Sequence, residues 1–162
     1  MGKRRLACFF VLVSLVLAGC LADPVQDDLV NYINEETKTS QDLELKAVTA
    51  YESVSGANYQ DDQTMYDALI NDIIPTYEEF INELEAVNIE TDELQEVHDV
   101  YLKGANLQHQ GFLKIVEAID AQDAGMIDEA NALLNEGKEN INNYLDQIEQ
   151  LAEDHNVEIE KN

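Results

Sequence analysis

Residues 91–119 read TDELQEVHDVYLKGANLQHQGFLKIVEAI, and the fold class follows from how this stretch is spaced. Leu94, His98, Tyr101, Ala105, Gln108, Phe112, Ile115 and Ile119 follow one another at steps of 4, 3, 4, 3, 4, 3 and 4. That alternation keeps one narrow stripe on one face of a helix and is the seam of coiled-coil-like packing. A half-buried strand would instead alternate every second residue. Thr91 stands where an N-cap belongs, with Asp92 and Glu93 placed to favour the positive end of the helix dipole.

The next segment repeats the pattern. After a tight turn at Asp120 to Asp123, Ile127, Ala130, Leu134, Gly137, Ile141, Tyr144, Ile148, Leu151 and His155 step by 3 and 4 in turn. Two uninterrupted seams separated by a short turn predict two long antiparallel helices.

Upstream, a second helix is predicted from Asp61 to Val87, with Met65, Leu69, Ile70, Ile73, Tyr77, Phe80, Ile81 and Leu84 as its stripe. Pro75 cannot donate to the Asn71 carbonyl and should kink it. The stripe keeps its phase across Pro75, which favours one kinked helix over two. A first helix starts at Asp23-Pro24, an N-cap followed by proline at the first helical position. Its stripe runs through Val25, Leu29, Tyr32, Ile33, Leu43, Ala47, Ala50, Tyr51 and Val54. The stripe has a gap where Glu36, Thr37 and Ser40 would face inward, and Gly56 stops the helix. Four helices on short loops predict an all-α, up-down-up-down antiparallel four-helix bundle over residues 23–156, with 157–162 as a frayed tail. A three-helix bundle with the first helix loosely docked is the runner-up. There are no strand-like runs.

The start of the chain has a different character. Lys3, Arg4 and Arg5 precede an uncharged run of 13 residues, Leu6 to Ala18. A membrane span needs about 20, so this reads as a cleaved export signal over residues 1–19. The run ends in Leu17-Ala18-Gly19-Cys20, which resembles the lipobox of bacterial lipoproteins. The resemblance implies diacylglyceryl attachment to the Cys20 thiol and cleavage between Gly19 and Cys20. Residues 20–22 would then be a short lipidated tether. Two acyl chains are what stable anchoring without a transmembrane helix requires. The resemblance places the protein at the cell membrane, facing the extracytoplasmic side, and is silent on the activity of residues 21–162.

Processing changes the composition. Cys8 leaves with the signal and Cys20 is capped, so no thiol remains for a disulfide. The mature chain has 143 residues, enough for one domain. Without Lys3, Arg4 and Arg5, six basic residues face 34 acidic ones, a net charge of −28. Such a surface repels nucleic acid and anionic headgroups.

Aligning the antiparallel helices about their turns sets Tyr77, Tyr101 and Tyr144 at one height, opposite Thr37 and Ser40, with His98 one turn away. Buried phenols need partners, and Thr37, Ser40 or His98 are placed to supply them. Tyr77, His98, Tyr101 and Tyr144 therefore form a polar-aromatic layer, read either as a device that fixes helix register or as the lining of a small-ligand or cation site. At a second level, Gln108 is expected to fill the space above Gly137 and to bond the freed Asn71 carbonyl. Metal chemistry finds little support: no His has a Glu three residues before it, and His98 and His109 are about 16 Å apart along the helix axis. No metal, cofactor or catalytic residue is implied. Leu45, Met65, Leu102 and Leu107 are candidate surface apolar residues. The expected function is a non-enzymatic binding or interaction module whose partner is an unidentified envelope protein or polymer.

Overall fold

The structure, a computed structural model, describes residues 11–13 and 23–161. The fold is all-α. Its helices are α1 (Pro24–Asn31), α2 (Lys38–Val54), α3 (Asp62–Ala68), α4 (Ile74–Glu85), α5 (Asp92–Ala121) and α6 (Ala124–Asp154).

Both long seams form the helices expected of them. The turn between α5 and α6 closes with Gln122 in the left-handed region and Asp123 accepting the Gly125 N–H at 2.8 Å. The two helices cross at backbone contact. A Cβ on Gly104 would lie 2.9 Å from the Gly137 carbonyl oxygen, and one on Gly137 would lie 2.8 Å from that of Gly104. Glycine at both positions is what permits this approach. Pairing of Gly104 with Ile141 and of Gly111 with Leu134 fixes their antiparallel sense.

The two upstream arms are each interrupted, and in the same way. Between α1 and α2 the chain makes a π-turn over Tyr32–Glu36, and between α3 and α4 another over Leu69–Ile73. In the second, the Ile74 N–H reaches back to the Leu69 carbonyl, five residues away, just before Pro75 withholds its own donor. The wide turn absorbs the proline without ending the arm. It also shifts the helical phase, so Ile70, expected on the inward stripe, is 42 % exposed, while Ile74 and Thr76 are buried.

The polar gap in the first arm has a local use. Thr37 and Ser40 are fully buried, but neither bonds a phenol. The Thr37 hydroxyl donates to the Tyr32 carbonyl at 2.9 Å and the Ser40 hydroxyl to the Thr37 carbonyl at 2.9 Å. They satisfy backbone acceptors that the π-turn displaces.

Asp23 caps α1 as expected, accepting from the Val25 and Gln26 amides. Its second oxygen meets His155 Nδ1 at 2.8 Å, and Gln26 donates to the His155 carbonyl at 2.8 Å, so the start of α1 is tied to the end of α6. Thr91 precedes α5 but does not cap it with its side chain. It donates instead to Asp28, whose Oδ2 accepts the Glu90 and Thr91 amides and the Thr91 hydroxyl at 3.0, 2.8 and 2.7 Å. That buried carboxylate holds the α4–α5 corner against α1.

A short ladder pairs Val11–Val13 with Ile159–Lys161 antiparallel, a strand pair that the sequence pattern does not announce. Val157 packs into the core, its N–H bonded to the Ala152 carbonyl at 2.8 Å. Among the supposed surface apolar residues, Met65 is buried; the exposed large ones are Tyr59, Ile70, Leu113 and Leu145.

Candidate functional site

The mid-height layer is built by α2, α5 and α6 together with the π-turn that begins at Tyr32. Tyr101 and Tyr144 lie level across the α5–α6 interface, their rings stacked with centroids 4.3 Å apart and planes 10° from parallel. The Tyr101 hydroxyl donates to Glu44 Oε2 at 2.5 Å. Tyr32, fully buried, meets His98 Nδ1 through its hydroxyl at 3.0 Å, with the two rings edge to face. The hydroxyl and the ring nitrogen share one proton-bearing contact, whose donor is set by the imidazole tautomer.

Two of the four residues grouped by sequence, Tyr101 and Tyr144, are in direct contact, and His98 joins them through Tyr32. Tyr77 stands apart. Phe80 lies between it and Tyr101, with ring centroids 5.0 and 5.7 Å away respectively. Tyr77 packs instead on Phe112 and donates to Gln108 Oε1 at 3.2 Å. Tyr77 therefore meets α5 about two turns beyond Tyr101, the level that a symmetric fold-back gives.

Two members of the layer went unrecognised. Tyr32 stands on the apolar stripe of the first helix, where spacing marks it as core. Glu44 carries a charge, yet it sits on a seam in which Ser40, Glu44, Ala47, Tyr51 and Val54 step by 4, 3, 4 and 3. That seam was the available signal.

Electrostatically the layer is a set of neutral groups around one carboxyl. Burial pushes the Tyr32, Tyr77, Tyr101 and Tyr144 phenols up, so all remain donors over the physiological range. Burial lowers His98, holding the imidazole neutral. Burial also raises the Glu44 carboxyl, against the opposing pull of the Tyr101 hydrogen bond. Nearly every group in the layer finds its partner in another member of it, and stacked rings occupy the centre.

At the second level, Gln108 lies over Gly137 as expected: a Cβ there would meet Gln108 Cγ at 2.6 Å. The expected amide bond to Asn71 is replaced by the bond from Tyr77, and the Asn71 side chain donates to the Asp67 carbonyl.

A shallow cleft of about 290 Å³ opens between α4 and α5 on another face, lined by Glu78, Ile81, Asn82, Asn106 and His109. None of the four layer residues borders it. Gly19 and Cys20 lie outside the described residues, as does the segment between the strand at Val11–Val13 and Asp23.

Comparison with protein-family models, with curated proteins and with solved structures found no match to the chain.

Proposed function

We propose that this chain is a lipid-anchored, non-enzymatic binding module of the cell envelope, held at the extracytoplasmic face of the membrane by a diacylglyceryl group on Cys20. The observation that carries the reading is Leu17-Ala18-Gly19-Cys20 at the end of a basic-then-apolar leader. Two further features support it. Helix α1 is capped by Asp23, and Asp23 is itself tied to His155, so an ordered domain starts three residues after the anchor. Among the described residues no helix is long and apolar enough to cross a membrane.

On this reading the four helical arms are an up-down-up-down bundle. Contacts of Glu44 with Tyr101 and of Tyr51 with Phe112 make α2 run with α5, while α6 runs against it, as does α4 through Tyr77 with Phe112 and Phe80 with Tyr101. The Glu44, Tyr101, Tyr144, Tyr32 and His98 layer serves as the register device. Tyr32 with His98 and Tyr101 with Glu44 are partnered at one setting of the arms, and a slip of one turn would leave these groups unpaired. Removal of residues 1–19 takes away the strand Val11–Val13 that pairs with Ile159–Lys161.

The partner is an envelope protein or a surface polymer compatible with a charge of −28. Crosslinking in intact cells followed by mass spectrometry tests this, with Cys20→Ala as the unanchored control. A specific envelope partner captured by the native chain and lost with Cys20→Ala supports the reading. An identical capture profile for the two chains refutes it.

A further inference from the structure

The cleft between α4 and α5 is separate from the layer, and its one His and one Glu face each other across it at a distance longer than a hydrogen bond. His109 Nε2 is shielded from water and has no hydrogen-bond partner. Its nearest acidic neighbour, Glu78 Oε1, is 3.5 Å away, beyond a well-formed hydrogen bond. Asn106 spends its amide N–H on the Leu102 carbonyl at 2.9 Å, leaving its oxygen as acceptor. Asn82 completes the polar wall.

The free valences on this surface are mostly acceptors. Glu78 offers a carboxylate, Asn106 and Asn82 offer amide oxygens, and the His109 imidazole offers a ring nitrogen able to ligate. A set of acceptors facing a solvent-open cleft calls for a cation. The carboxylate-rich surface around it raises the local concentration of cations.

The 3.5 Å separation narrows the class. Zinc binds imidazole nitrogen and carboxylate oxygen at about 2.0–2.2 Å, which for a tetrahedral ion sets the two donor atoms about 3.4 Å apart. A nitrogen donor favours borderline first-row ions over calcium or magnesium. We propose that His109 Nε2 and Glu78 Oε1 together hold one borderline divalent cation in the α4–α5 cleft, with water and the Asn82 and Asn106 amide oxygens available to its other positions. Among the described residues no three His, Cys, Asp or Glu side chains converge on one point, so the site is a two-residue, exchangeable one. It spans two helices, which is why helical spacing within one helix does not reveal it. It stands independently of the anchor.

The test is a Zn²⁺ titration of the full chain in detergent micelles, read by competition with a chromogenic chelator and by the imidazole resonances. One saturable site is expected, at which the His109 ring signals shift while those of His98 and His155 do not. Millimolar Ca²⁺ should not displace the ion. His109→Gln should abolish the site. Glu78→Gln, at a side chain 57 % exposed and so harmless to folding, should weaken it about tenfold. Equal binding by His109→Gln would assign the zinc to diffuse surface carboxylates and overturn the proposal. So would an unshifted His109 ring, or a ring that only titrates as an ion pair with Glu78.

Discussion

Replacing Gly137 with alanine tests the packing of the two long helices, because two effects of opposite sign compete there. In an exposed helix interior the change stabilises by up to about 1 kcal/mol through backbone entropy. At Gly137 the added Cβ would sit 2.6 Å from Gln108 Cγ, 2.8 Å from the Gly104 carbonyl oxygen and 3.0 Å from the Gln108 amide nitrogen. Gln108 can swing its side chain aside. The two backbone atoms cannot move unless α5 and α6 separate along their length. Overpacking of this kind costs about 1–3 kcal/mol, and the bond from Tyr77 to Gln108 is lost if the side chain moves. The larger effect should win, with a net destabilisation of up to about 2 kcal/mol. For a chain of this size that lowers Tm by roughly 4–8 °C. Thermal melting by circular dichroism reads it directly, and Gly104→Ala should behave alike. A Gly137→Ala protein that melts at or above the wild-type temperature would refute the close crossing.

Gln108→Leu leaves the buried Tyr77 hydroxyl without an acceptor and should cost about 1–3 kcal/mol in a denaturant titration, whereas Asn71→Ala should leave stability nearly unchanged. Burial raises the Glu44 carboxyl above its ordinary 4.5, so the folded state holds that proton more tightly than the unfolded chain does. Its contribution is complete below 4.5 and is lost as pH rises through the folded value. Glu44→Gln, which keeps an acceptor for Tyr101, should therefore raise Tm near neutral pH and give no gain in acid; a gain that is equal at both would contradict the burial. Asp23 moves the other way: the hydrogen bond from His155 lowers it, so its contribution is present above its ordinary 3.8 and disappears as pH falls through the depressed value. His155→Ala should let Asp23 return toward that value, measured by carboxyl NMR titration.

The helices were legible wherever side-chain spacing alone decides burial. The α5 and α6 seams are continuous, and both helices form over them. The upstream arms were legible as arms and not in detail, because a π-turn is a backbone event. Nothing in Tyr32–Glu36 or Leu69–Ile73 advertises a fifth-neighbour hydrogen bond, and Ile70 changes face once it forms. The polar layer was half visible. Level-matching across the short α5–α6 turn put Tyr101 beside Tyr144, since that turn is tight and symmetric. The same arithmetic failed at the α4–α5 corner, where Asp28 binds the loop from a distant part of the chain. Glu44 was hidden by its charge, although its position on the seam was plain. His109 with Glu78 was hidden for a different reason, since the pair forms only when two helices meet.

The mass of the amino-terminal peptide, taken from the native protein in its own membrane fraction, bears most directly on the proposed anchoring. Cleavage before Cys20 with a diacylglyceryl thioether on its sulfur is the predicted result. A chain that partitions into the soluble fraction and carries a free thiol at Cys20 would contradict it.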